Sequence, residues 1–167
     1  YKEVRFKTSP YFSREQVETP AFKAWFGGSK VVDADGKPLR VYHGTNRKIA
    51  TFKRGHAVNW PENFFFASDP NYASLYAESD GAGGNVLSVY LSLQNPLIVE
   101  TGKSHPDDYY FYREPGVFEK RAKAEGHDGI ILRDSLGQQI FIAFEGTQIK
   151  SAIGNRGTFS RRDKRIA

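Results

Sequence analysis

The chain of 167 residues contains no cysteine and no methionine. The first absence excludes disulfides, thiolate metal sites and a cysteine nucleophile. The second, which extends to position 1, points to a piece of a longer protein. No apolar run approaches the roughly 20 residues that cross a bilayer, and the opening residues hold no signal-peptide core. A cytoplasmic site of action without membrane contact is the expectation. No Gly-x-Ser-x-Gly elbow occurs. The "GAGG" at 81–84 lacks the Lys-Ser/Thr that makes a phosphate loop. The four histidines, His43, His56, His105 and His127, are scattered without ligand spacing, so no metal site is expected.

What the chain has in quantity is rings: 13 Phe and 9 Tyr, within an aromatic share of 14%. With an apolar share of 39%, that suits one globular domain with an aromatic core or a slot for a planar ligand. The formal charge is +5, and the basic residues gather in "YKEVRFK" and "RRDKRIA" at the ends. A solvated arm (1–18) and a basic tail (161–167) around a domain at 19–160 are therefore expected. A basic balance also permits nucleic-acid binding, although Asp107, Asp108 and Glu114 make the "DDYYFYRE" loop equally suited to a basic protein.

Local signals predict the elements. "TPAFKAWFGG" reads as a helix with Thr19 as N-cap, Pro20 first, and Gly27 and Gly28 as stop. "VVDADGKPLRVYHG" reads as a hairpin around Asp-Ala-Asp-Gly. "NFFFAS" is a short strand, and "SDPNYASLYAES" a helix capped by Ser68 or Asp69. "NVLSVYLSLQNPLIVE" makes one or two strands, since Leu87, Val89, Leu91 and Leu93 alternate with polar or aromatic residues. "GVFEKRAKAEG" is a helix ended by Gly126, and "DGIILRD" and "QIFIAFEG" are strands. Strands outnumber helices without regular alternation, which predicts an α+β fold with a largely antiparallel sheet.

Within this frame one stretch invites chemistry. In "VYHGT" a strand delivers His43 directly into Gly44 and Thr45. Phe65 and Tyr76 follow on a strand and on the helix behind it, where their rings could form a slot. Taken singly, His43 reads as a core histidine with a partner and the rings as core aromatics. Their order is more telling. "VYHGT", "FFFASDPNYASLYA", "VLSVYLSLQNP" and "IFIAFEGTQIKS" together resemble the ADP-ribosyltransferase superfamily, which includes diphtheria-type toxins and poly-ADP-ribose polymerases. "TPAFKAWFGGSKVVDADGKPLRVYHGT", "DGIIL" and "QIKSAIGNRGTF" make it most similar to the transferase domains of phage and mobile-element polyvalent proteins, over about Thr19 to Ser160.

The resemblance implies split antiparallel β-sheets with a few short helices around an NAD cleft. It implies that His43 hydrogen-bonds a ribose hydroxyl of NAD, that Gly44 holds the nicotinamide carboxamide through its backbone, and that Thr45 supports the histidine. Tyr76 matches the tyrosine that stacks on nicotinamide, and Phe65 stands where one subgroup has a second tyrosine. The catalytic glutamate position falls on Ile140, which makes the chain look like a single-transfer enzyme or an inactive one. Gln139 is the nearest polar substitute, reachable only through a bulge that the core should resist. Glu145 reads as a solvated strand-end carboxylate, and Gln148 as the cap of the turn before "IKSA". The implied activity is mono-ADP-ribosylation with NAD as substrate, no metal, a protein or nucleic-acid acceptor and a monomeric chain. NAD hydrolysis or an inactive binding module are the alternatives.

Overall fold

The computed structural model describes residues 16–45, 49–52, 64–77, 84–101, 115–153, 155 and 159–166, without the side chains of Tyr76, Thr101 and Pro115. The arm up to residue 15, His56, His105 and the "DDYYFYRE" loop lie outside the described residues. In chain order the elements are α1 (Pro20–Phe26), β1 (Val41–Thr45), β2 (Phe64–Ala67), α2 (Pro70–Ala77), β3 (Asn85–Leu91), β4 (Leu97–Thr101), α3 (Pro115–Ala124), β5 (Gly129–Asp134), β6 (Gln139–Ala143) and β7 (Ile149–Ser151). No described helix is long and apolar enough to cross a membrane.

The helix signals act as the sequence predicts. Thr19 Oγ1 accepts from the Phe22 amide at 3.2 Å, and Gly27 ends α1 at φ 52°. Of the two capping candidates for α2, Asp69 takes the role, its Oδ1 accepting from Asn71 N at 2.8 Å. Ser68 turns sideways instead and ties the end of β2 to β6. Its amide donates to Gln139 O at 3.0 Å, and its Oγ accepts from Gln139 N at 3.1 Å.

The predicted hairpin forms only in part. Asp33 Oδ1 accepts from Asp35 N and Lys37 N and shapes the turn. The two arms, however, meet at a single bridge, Val32↔Pro38. The second arm becomes β1 and pairs elsewhere, because Val41 is wholly buried and belongs in the centre of a larger sheet.

That sheet has seven strands in the order β4-β5-β6-β2-β1-β3-β7. The expected α+β class holds, and every pair is antiparallel except β4 with β5, which α3 connects as a β-α-β unit. The strands on either side of the centre are fully laddered. β1 pairs with β3 from Val41↔Val89 to Thr45↔Asn85, and β2 pairs with β6 from Phe64↔Ala143 to Ala67↔Ile140. Between β1 and β2 there is one pair only, Tyr42↔Ala67. The sheet is thus two half-sheets joined at one residue pair.

One face carries Val41, Phe66, Val89, Leu91, Ile131, Phe141 and Ile149 in a single apolar cluster. A second cluster, Val99, Ile130, Leu132 and Ile142, lies under Phe118 and Ala122 of α3. The rings of α1 form a third with Tyr90 and Phe159, Phe22 standing edge-on to Tyr90 and Phe159 at 5.2 and 5.0 Å. Much of the aromatic excess is therefore core. Residues 159–166, basic as they are, lie against the body: Phe159 and Ile166 are buried, Ser151 N donates to Ile166 O at 2.7 Å, and Ile166 N donates to Ala50 O at 3.1 Å.

Candidate active site

His43 stands where the two half-sheets part. Continuing the antiparallel register beyond Tyr42↔Ala67 would set Gly44 opposite Phe65. No such pair forms. Instead the His43 imidazole crosses the junction, its Nδ1 lying 2.7 Å from the Phe65 carbonyl oxygen. A carbonyl only accepts, so Nδ1 carries the proton and donates. In the neutral ring Nε2 is then an acceptor, and among the described residues it has no hydrogen-bond partner.

Packing holds the ring in that pose. Phe52 meets it edge-on at 5.0 Å with the planes at 79°, and Phe66 lies 5.4 Å away, tilted by 49°. Burial among these rings pushes the His43 pKa below its ordinary 6.5, against a weaker opposing effect of the Phe65 carbonyl. The ring is therefore neutral at physiological pH. Its contribution to stability has a definite sign. The unfolded chain binds the proton more readily than the folded one, so stability is full above pH 6.5 and falls as the pH drops from there through the lowered value. Chemical denaturation at intervals from pH 8 to pH 5 checks this, and His43→Phe should flatten that part of the profile.

Gly44 answers to a different neighbour. A Cβ at this position would lie 1.8 Å from the Ala73 carbonyl oxygen and 3.0 Å from Ala77 N, both backbone atoms of α2. Gly84 meets the same helix, its Cβ position being 2.2 Å from Ala77 O. Two glycines thus let α2 press directly on β1 and on the start of β3. This helix carries Tyr76 at its last turn, and the tyrosine ring lies outside the described side chains. Thr45 closes β1 half-buried opposite Asn85.

Phe65 and Ile140 share the other face. Both are half-buried and pack against the cluster under α3. They sit on adjacent strands, with Phe65 opposite Ile142 and Ile140 opposite Ala67. The ladders of β6 to β2 and to β5 run through Ile140 without interruption. The bulge that would bring Gln139 round is absent, and strand alternation sets Gln139 on the face opposite Ile140. What the structure uses of Gln139 is its backbone, clasped by Ser68. Glu145 is exposed. Gln148 caps the turn as the sequence suggests: Oε1 accepts from Phe144 N and Glu145 N at 3.0 and 2.8 Å, and Nε2 donates to Asp128 O at 2.7 Å.

The structure therefore joins His43 to Phe65 through the latter's carbonyl and sets Gly44 against the helix of Tyr76. Sequence reasoning missed Phe52 and Phe66 as the ring's neighbours. The only signal for either was its place in an aromatic-rich segment, shared with many core residues. Among the described residues no group of three or more His, Asp or Glu side chains is placed to hold a metal ion.

These features agree with a comparison by sequence. The chain belongs to the family of ADP-ribosyltransferase domains in polyvalent proteins, whose model matches residues 33–159. The match includes every residue discussed above for the site and leaves α1 outside it. The family uses NAD as its substrate. No curated protein matches the chain.

Proposed function

We propose that the chain is a mono-ADP-ribosyltransferase, moving ADP-ribose from NAD to a macromolecular acceptor and releasing nicotinamide. The observation that carries this reading is His43 at the sheet junction, a neutral imidazole with Nδ1–H engaged and Nε2 left as acceptor. A ribose hydroxyl is a donor of the kind Nε2 lacks among the described residues. The fit extends to Gly44. N–H and C=O alternate sides along a strand, and the Phe65 carbonyl points to β1. By that alternation the Gly44 peptide groups turn toward β2, on the side where the ladder has stopped. A carboxamide, which both donates and accepts, is a matching guest. Thr45, Phe65 and Tyr76 complete the proposed NAD-binding set.

In the transfer, the bond between C1′ of the ribose and the nicotinamide nitrogen breaks, and nicotinamide leaves with the bonding electrons. The acceptor forms the new bond to C1′ and gives up its proton. His43 and the Gly44 backbone hold the two sides of the breaking bond, so positioning supplies most of the acceleration. At the start of β6 the chain offers Ile140 in place of a carboxylate. The acceptor must then bring its own base, and a second ADP-ribose is not added to the first.

The test is incubation with adenylate-labelled NAD and a cell lysate. Label that becomes acid-precipitable supports transfer, and its sensitivity to protease or nuclease identifies the acceptor class. Label found wholly as free ADP-ribose would make the protein an NAD glycohydrolase. Unchanged NAD would make it a binding module.

A further inference from the structure

We propose that the segment Asp163–Ile166 is a positioning element for His43: hooked onto the buried Lys150, it braces residues 49–52 and so fixes the Phe52 ring against the imidazole. The proposal rests on the reading that His43 binds NAD. The segment lies beyond the part of the chain that the family match covers.

The chain of contacts begins at Lys150, on β7 opposite Tyr90 and only 1% exposed. A buried ammonium is costly unless its N–H groups find partners. Here Nζ donates to Asp163 O at 2.8 Å and to Arg165 O at 2.6 Å. Burial still pushes the lysine pKa down, partly offset by the Asp163 carboxylate. The two carbonyls converge because Asp163 closes a local turn. Its carboxylate accepts from Arg165 N at 2.9 Å and from the Arg165 guanidinium at 2.7 Å. Those bonds hold the Asp163 pKa at about 2, so the turn stays intact through the physiological range.

From this hook the segment reaches toward the site. Arg165 bridges Thr51, Ile166 N donates to Ala50 O at 3.1 Å, and the Ile166 side chain joins the same apolar cluster as Phe52. Phe52 is boxed in from behind as well, because a Cβ on Gly146 would lie 3.0 Å from the Phe52 carbonyl oxygen. In front, its ring contacts His43, Phe64 and Phe66 at 5.0, 5.2 and 5.5 Å. Apolar contact alone would anchor the segment, whereas an ammonium shared by two carbonyls also fixes its direction. That direction decides how Phe52 meets the imidazole, and with it where Nε2 points.

Two variants test this, Lys150→Met, which releases the hook, and Phe52→Leu, which keeps the hook and removes the ring edge. The first readout is the imidazole nitrogen spectrum of His43 without NAD. Wild type should show the single Nδ1–H tautomer, and both variants a mixture of tautomers. The second is nicotinamide release, for which KM for NAD should rise about tenfold with a smaller change in kcat. Should Lys150→Met fail to fold, Asp163→Ala, which opens the turn that gathers the two carbonyls, takes its place. Lowered melting temperatures with the single tautomer and the wild-type KM retained would overturn the proposal and leave the segment a merely stabilising one. If the variants mix the tautomers while wild type neither binds nor cleaves NAD, the bracing of His43 stands and the NAD reading falls.

Discussion

Gly44→Ala is expected to destabilise the protein by about 3 kcal/mol, at the upper end of overpacking costs. For a domain of this size that corresponds to a fall in melting temperature of roughly 6–12 °C. The added Cβ would fall 1.8 Å from the Ala73 carbonyl oxygen, about half of a normal contact, and backbone has no rotamer with which to step aside. Helix α2 must therefore lift from β1. Because Tyr76 sits on that helix, nicotinamide release should fall with stability. Thermal melting checks the first effect, and a melt within about 2 °C of wild type would show that α2 does not press on β1 as described.

His43→Ala carries the largest functional effect, an expected loss of about 10²–10³-fold in nicotinamide release. Two things go together in this variant. The acceptor at Nε2 disappears, and the Phe65 carbonyl loses its donor at a junction that has only one strand pair. That carbonyl lies just beyond Tyr42↔Ala67, the one pair β1 and β2 do make, and leaving it unsatisfied costs roughly 1–3 kcal/mol of stability, so activity must be compared below the melting temperature of both proteins. His43→Gln separates the contributions. Its amide N–H₂ can restore the bond to Phe65 without reproducing a ring acceptor at the Nε2 position, so it should recover stability ahead of activity. Recovery of both to the wild-type level would contradict the role given to Nε2.

The parts of the fold that were legible in the sequence are those where a side chain acts on its own neighbourhood. Thr19, Asp69, Gly27 and Gly126 start and stop helices within one turn of themselves, and the alternation in β3 and the apolar run of β5 need no distant partner. The hairpin reading went astray for a complementary reason. Its turn is correct, but β1 gains more from two long-range partners than from the short arm beside it. The parallel pairing of β4 with β5 was hidden in the same way, since a strand's partner across a helical crossover leaves no local mark.

The site divides along that line too. His43, Gly44 and Thr45 stand out as a motif. The acceptor that fixes the imidazole is a backbone carbonyl, which any residue at position 65 would supply and no residue type announces. Gly44 has the residue type expected for close approach to a ligand, yet the structure also gives it a packing reason, the backbone of α2. The basic end of the chain is the most instructive case. Its charges suggest a solvated tail, while its carbonyl groups, invisible to any count of charge, receive Lys150.

The central claim, that His43 is a neutral acceptor for NAD at the junction of the half-sheets, is tested most directly by following the His43 ring nitrogens while NAD is added to the 167-residue chain. The account predicts that Nδ1 stays protonated, that the Nε2 resonance moves in proportion to bound NAD, and that free nicotinamide then accumulates. An Nε2 resonance that does not move at saturating NAD, with no nicotinamide released, would contradict it.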